Sequence, residues 1–189
     1  MQNSCQLNST AREYLSTFRC ILDEMIQGMT EAERTESISQ NFIAQMIPHH
    51  QAAIEMSYNI LKYTTDAALR EIAEGIIEEQ TKSIRNMRCI ENACGKCSNS
   101  ERELGQYQCK VDQIMQNMFC RMRCACATNR NNCNFMWEMI PHHRGAIAMS
   151  KLTLNFPICS ELKPILEAII TSQEKGVAQM KQLLRCLGC

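Results

Sequence analysis

The sequence predicts an all-α protein of six helices, arranged as two pseudo-symmetric three-helix repeats. Three observations point there. Breakers are sparse, with 7 Gly and 4 Pro in 189 residues, while Ala, Glu, Gln, Ile, Leu and Met abound. Apolar residues recur at helical spacing. The chain also falls on itself when shifted by 93 residues.

That register runs without a gap. Tyr14 meets Tyr107, Ile21 meets Ile114, Met25 meets Met118 and Met29 meets Met122. Asn41-Phe42 meets Asn134-Phe135, Met46 meets Met139, His49-His50 meets His142-His143, and Met56-Ser57 meets Met149-Ser150. Downstream, Ile76-Ile77 meets Ile169-Ile170, Gln80 meets Gln173 and Met87 meets Met180. Residues 10–91 form the first repeat, 92–102 a Cys-rich linker and 103–189 the second repeat.

The first helix spans about Thr10 to Met29, on the spacing of Phe18, Ile21, Leu22, Met25, Ile26 and Met29. Thr30 followed by Glu33 is a capping-box signature for the second helix, which runs to about Tyr63. Asp66 is an N-cap for the third, which carries Leu69, Ile72, Ile76, Ile84 and Met87. The linker then breaks the periodicity with Gly, Ser and Asn. The second repeat follows as helices of about Glu101–Arg123, Asn132–Asn155 and Ser160–Leu187, with Pro157 and Pro164 around the last start. Pro48 and Pro141 fall inside the two middle helices, directly before the paired histidines. Each must kink or restart its helix, freeing a carbonyl near Ala44 or Met136.

Charge and composition exclude several functions. Lys plus Arg equals Asp plus Glu, at 20 each, so no basic footprint for nucleic acid exists. No apolar run reaches the ~18 residues of a membrane span. No basic segment followed by an apolar run opens the chain, so the expectation is a cytoplasmic protein, with export and removal of a signal as the alternative. Enzyme chemistry finds no foothold. No acidic residue stands three before any histidine, as a carboxylate-bridged di-iron site requires. His-Glu-x-x-His and Gly-rich phosphate loops are also missing.

What the repeat keeps is soft donors. Ten of 13 methionines fall in five matched pairs, and all four histidines in two. None of the 13 cysteines has a cysteine partner at the same shift. Met and His therefore belong to the unit's design, and Cys was laid over it. At about 100° per residue, Phe42, Met46, His49, Ala53, Met56 and Ile60 share one face of the second helix, with His50 at its edge. The first helix adds Met25 and Met29 and its copy Met118 and Met122, while the third adds Met87 and its copy Met180. A Met stripe is ordinarily core packing, and a histidine pair is ordinarily satisfied by its neighbours. Thioether and imidazole together are the ligand set of a soft monovalent ion, Cu(I) foremost and Ag(I) by analogy. Zinc at the histidines is the other possibility. Glu55 is positioned to orient an imidazole in the first repeat, but Ala148 stands at the matching position.

The stretches "FIAQMIPHHQAAIEMS" with "AEGIIEEQTKSIRNM", and "FMWEMIPHHRGAIAMS" with "LEAIITSQEKGVAQM", resemble the domain-of-unknown-function family 305 in two tandem copies. The resemblance implies a ferritin-like helical bundle and copper or silver binding by Met and His. It implies as ligands Met46, His49, His50, Met56 and Met87, with Met139, His142, His143, Met149 and Met180.

The cysteines stand outside that pattern. Cys94 with Cys97, and Cys186 with Cys189, form CxxC pairs at the end of each repeat. Cys120 and Cys124 cluster with Cys126 and Cys133, while Cys5, Cys20 and Cys159 are scattered. Three readings compete: thiolate metal binding through these pairs, disulfide staples, and redox-active CxxC, for which the surrounding βαβ pattern is missing. Thiolate binding is the expectation, with Cys94, Cys97, Cys120, Cys124, Cys186 and Cys189 as additional ligands.

The expected function is binding of Cu(I) for copper tolerance, storage or delivery, by ligand exchange and without covalent chemistry. A copper donor or acceptor protein is the implied partner, and a homo-oligomer is compatible. The alternatives are a disulfide-stapled structural or interaction protein and a CxxC redox protein.

Overall fold

The computed structural model describes residues 6–189. It contains six helices and, among the described residues, no strand: α1 (Ser9–Thr30), α2 (Ile38–Leu61), α3 (Ala67–Cys94), α4 (Glu101–Arg123), α5 (Asn131–Thr153) and α6 (Leu162–Leu187). Helices α2, α3, α6 and α5 pack in a ring, each against the next, and α5 closes back on α2. Helix α1 flanks α2 and α4 flanks α5. One continuous apolar core runs through both halves of the chain.

Most helix starts follow from their caps. Asp66 accepts a hydrogen bond from Leu69 N, as its position predicts, and Ser100 with Glu103 closes a full capping box on α4. The start of α2 differs from expectation. Thr30 is the last residue of α1, and its hydroxyl donates back to Ile26 O at 2.7 Å. Ser37 caps α2 instead, by accepting from Gln40 N. The reason is apolar patterning: Ile38, Phe42 and Ile43 have a core to enter, whereas Glu31, Glu33 and Arg34 have none. Asn41 holds the connection open as a loop by accepting from Thr35 N and donating to Thr35 O. Asn134 does the same with Thr128, 93 residues on.

Two further boundaries move. Helix α3 continues through Cys94, so the linker shrinks to residues 95–100. Both α2 and α5 run unbroken through Pro48 and Pro141. The carbonyls that lose their donor are those of Ala44 and Trp137, four residues back. At Pro48 the flanking helix comes in close: a Cβ on Gly28 would lie 2.9 Å from Pro48 Cβ. Only glycine lets α1 approach there.

Among the described residues, no helix is long and apolar enough to cross a membrane.

Candidate metal centre

The two histidine pairs meet in one place. The proline in each central helix precedes them, and α2 packs on α5. His49 and His142 stack with ring centroids 3.6 Å apart and planes 25° off parallel. His49 Nε2 donates to the His142 carbonyl at 3.2 Å, and His142 Nε2 donates to the His49 carbonyl at 3.0 Å. His50 and His143 flank this pair, 5.8 and 5.9 Å from their neighbours. The result is a row of four buried imidazoles.

A carbonyl can only accept, so Nε2 carries the hydrogen in His49 and His142 and Nδ1 keeps its lone pair. The Nδ1 atoms of all four histidines are buried and have no hydrogen-bond partner. Buried polar atoms are nearly always paired, so four orphaned nitrogens in one row call for a partner. The rings are neutral. Burial, and then the positive charge that His142 would add, holds His49 well below the usual histidine value. Burial lowers His50 to about 3 and His142 to about 4, and it also drives His143 far down.

The repeated methionines belong to the continuous buried core of the bundle. Met46 and Met56 lie on α2, Met87 on α3, Met139 and Met149 on α5, and Met180 on α6, all fully buried. Met25 and Met29 on α1, and Met118 and Met122 on α4, are buried where the flanking helices meet the ring. Met118 packs onto Gly145, where any Cβ would collide with its thioether end. Among the described residues, no three His, Cys, Asp or Glu side chains stand together as a metal-holding group.

Several expected residues stand elsewhere. Cys94 is bonded to Cys159 and Cys189 to Cys133, so neither has a thiolate to offer. Both CxxC pairs are thereby split, leaving Cys97 and Cys186 as single thiols. Cys120, in the last turn of α4, and Cys124, its C-cap, are exposed, whereas the four imidazoles are buried. Donating to Cys120, and then repulsion from that neighbour's charge, raises the Cys124 thiol. Cys5 lies outside the described residues. Glu55 does not orient an imidazole either. It accepts from Gln51 Nε2 at 2.9 Å, and the imidazole Nδ1 atoms remain unpaired.

Three features escape sequence reasoning. Ser83 Oγ lies 3.1 Å from His50 Nε2, while the matching position by His143 is Gly176. Gln80 and Gln173, matched in the repeat, carry buried and unpaired amide atoms. Glu138 is buried and accepts from Tyr14 Oη at 2.6 Å; burial raises its carboxyl to about 8.

The family model described as "Domain of unknown function (DUF305)" matches residues 39–184 in one span, not as two separate copies. The fold is similar to that of CopM in a silver-bound form obtained by soaking. The identity is 25%, with 80% of this chain and 97% of that one covered, at a TM-score of 0.59. Apo CopM is 27% identical, over 78% and 96% of the two chains, at a TM-score of 0.57. A DUF305 fragment from Deinococcus radiodurans shares the fold at 19% identity, over 77% and 94%, with a TM-score of 0.56. No curated protein matches.

Proposed function

Because the chain belongs to the DUF305 family, we propose that its buried Met/His core binds a soft monovalent metal ion, Cu(I) or Ag(I). The observation that carries the reading is the row of four neutral imidazoles whose Nδ1 atoms have no partner. Thioethers of Met46, Met56, Met87, Met139, Met149 and Met180 share that core. Uncharged donors suit a monovalent ion, because no buried carboxylate has to be neutralised. Silver bound to CopM, a protein of similar fold, supports the same class of ion.

The biological role we propose is copper tolerance, storage or delivery, with a donor or acceptor protein as partner. Its mechanism is ligand exchange among neutral donors, with no bond made or broken in a substrate. The two closely matching motifs are read as two copies of one ancestral unit, docked so that their histidines share a centre. The exposed thiols are read as loading sites around a bundle, not as its core ligands. The two disulfides favour an oxidising compartment over the cytoplasmic expectation.

Anaerobic Cu(I) titration against a competing chelator tests the proposal. High-affinity binding should survive when the unpaired cysteines are changed to Ser. It should be lost when His49, His50, His142 and His143 are changed as well. If neither form binds Cu(I) or Ag(I), the metal reading fails.

A further inference from the structure

The two ends of the histidine row are not equivalent. Ser83 Oγ sits against His50 Nε2 at 3.1 Å. At the matching position by His143 stands Gly176, where even a Cβ would lie 3.0 Å from the ring's Cδ2 and 3.1 Å from Nε2. The His143 ring packs into the place a side chain would take, and a cavity of about 170 Å³ between α3 and α6 reaches it. A second cavity, of about 400 Å³, reaches His50 and Ser83.

Gln80 and Gln173 line both cavities. Each is 3% exposed. Neither amide atom of Gln80 has a partner, nor does Gln173 Oε1. Two such amides facing one seam are left unpaired only if something else meets them in turn. Glu71 and Glu79 stand at the same cavity against one ammonium, Lys175, a balance that draws cations. The flanking helices α1 and α4 pack on α2 and α5, so they are not what covers the α3–α6 seam.

We propose that metal ions enter the bundle between α3 and α6, past the Gln80 and Gln173 amides, and reach His143 before the other histidines. The inference rests on the metal-binding reading above. The amide oxygens take over from water as the ion sheds its shell, and His143, which lines the cavity, is the first imidazole in reach. At the other end the Ser83 hydroxyl already engages His50 Nε2, so that ring edge is taken.

The test follows Ag(I) uptake through fluorescence of Trp137, the single tryptophan, which lies two residues before Met139. The parent protein has its unpaired cysteines changed to Ser. Gln80→Leu with Gln173→Leu should slow uptake about tenfold, the effect of losing one hydrogen-bond-sized contact in the barrier. Final stoichiometry and affinity should not change. Ser83→Ala should speed uptake by opening a second route to His50, and it keeps the test alive if the Leu pair fails to fold. Unchanged rates in both variants overturn the port alone. Affinity that falls as far as the rate also overturns it, because the amides are then ligands. A parent that binds no Ag(I) overturns the metal reading and the port together.

Discussion

His49 lies face to face on His142, 3.6 Å between ring centroids, and each ring donates to the other residue's carbonyl. The residues are 93 apart in sequence and reciprocal in space. Removing either ring strips one carbonyl of its donor and takes the stacking partner from the other ring. The two losses should therefore not add. We expect His49→Ala and His142→Ala to destabilise the metal-free protein to similar extents. The double variant should fall short of their sum by about 1 kcal/mol, within the range for residues in contact. Urea unfolding of the four proteins measures this, and strict additivity would contradict the reciprocal contact.

Acid should unfold the protein early. All four histidines hold folded values below the ordinary 6.5, to about 3 for His50 and about 4 for His142. For a base lowered on folding, stability is fully present above 6.5. It is lost as pH falls towards the folded value, because only the unfolded chain takes up protons. Each histidine contributes at most ~1.4 kcal/mol per pH unit. The melting temperature should thus drop steeply between pH 6.5 and 5. A flat profile there would mean that the imidazoles are not buried and neutral.

Glu138 pulls the other way, with one proton against four. Its carboxyl is raised to about 8, first by burial, in spite of the Tyr14 hydrogen bond and the Arg19 charge that lower it. Above about 4.5 the unfolded chain releases this proton while the folded one keeps it. Stability from this group therefore declines as pH rises from 4.5 to 8. Glu138→Gln removes the titration and keeps an oxygen for the Tyr14 hydroxyl. Glutamine already stands at the matching position, Gln45. The variant should gain at least ~1 kcal/mol over the native protein at pH 8 and nothing near pH 4.5. An equal gain at both would trace the effect to packing and not to ionisation.

The sequence made the helices legible because apolar spacing and side-chain caps are local. It placed α4 at its observed bounds and found Asp66 as a cap. It misplaced the start of α2 because Thr30 and Glu33 satisfy a cap pattern with no apolar face behind them. The repeat told which residues correspond, His49 with His142 and Gln80 with Gln173. It could not tell that the first pair would touch, because correspondence says nothing about how two units dock. The unpaired amides of Gln80 and Gln173 are likewise visible only once the neighbours are in place. Disulfide partners 65 and 56 residues apart leave no local trace in a chain with 13 cysteines.

Those disulfides make the last prediction. Cys94–Cys159 ties the end of α3 to the turn before α6, where Cys159 N also donates to Ser39 Oγ. Cys133–Cys189 ties the first turn of α5 to the residue after the α6 C-cap, Gly188. Both join segments of the bundle that the chain itself connects only through long loops of sequence. Closing loops of 65 and 56 residues restricts the unfolded chain by about 4 kcal/mol each on the chain-entropy account. Cys94→Ser with Cys159→Ser should lower the unfolding free energy by a few kcal/mol, and a reductant should do the same to the native protein. Native alkylation followed by peptide mapping should label Cys20, Cys89, Cys109, Cys120, Cys124, Cys126 and Cys186, which are exposed thiols. It should leave Cys94, Cys133, Cys159 and Cys189 unmodified until reduction. Labelling of those four without reductant would return them to the pool of thiolate ligands.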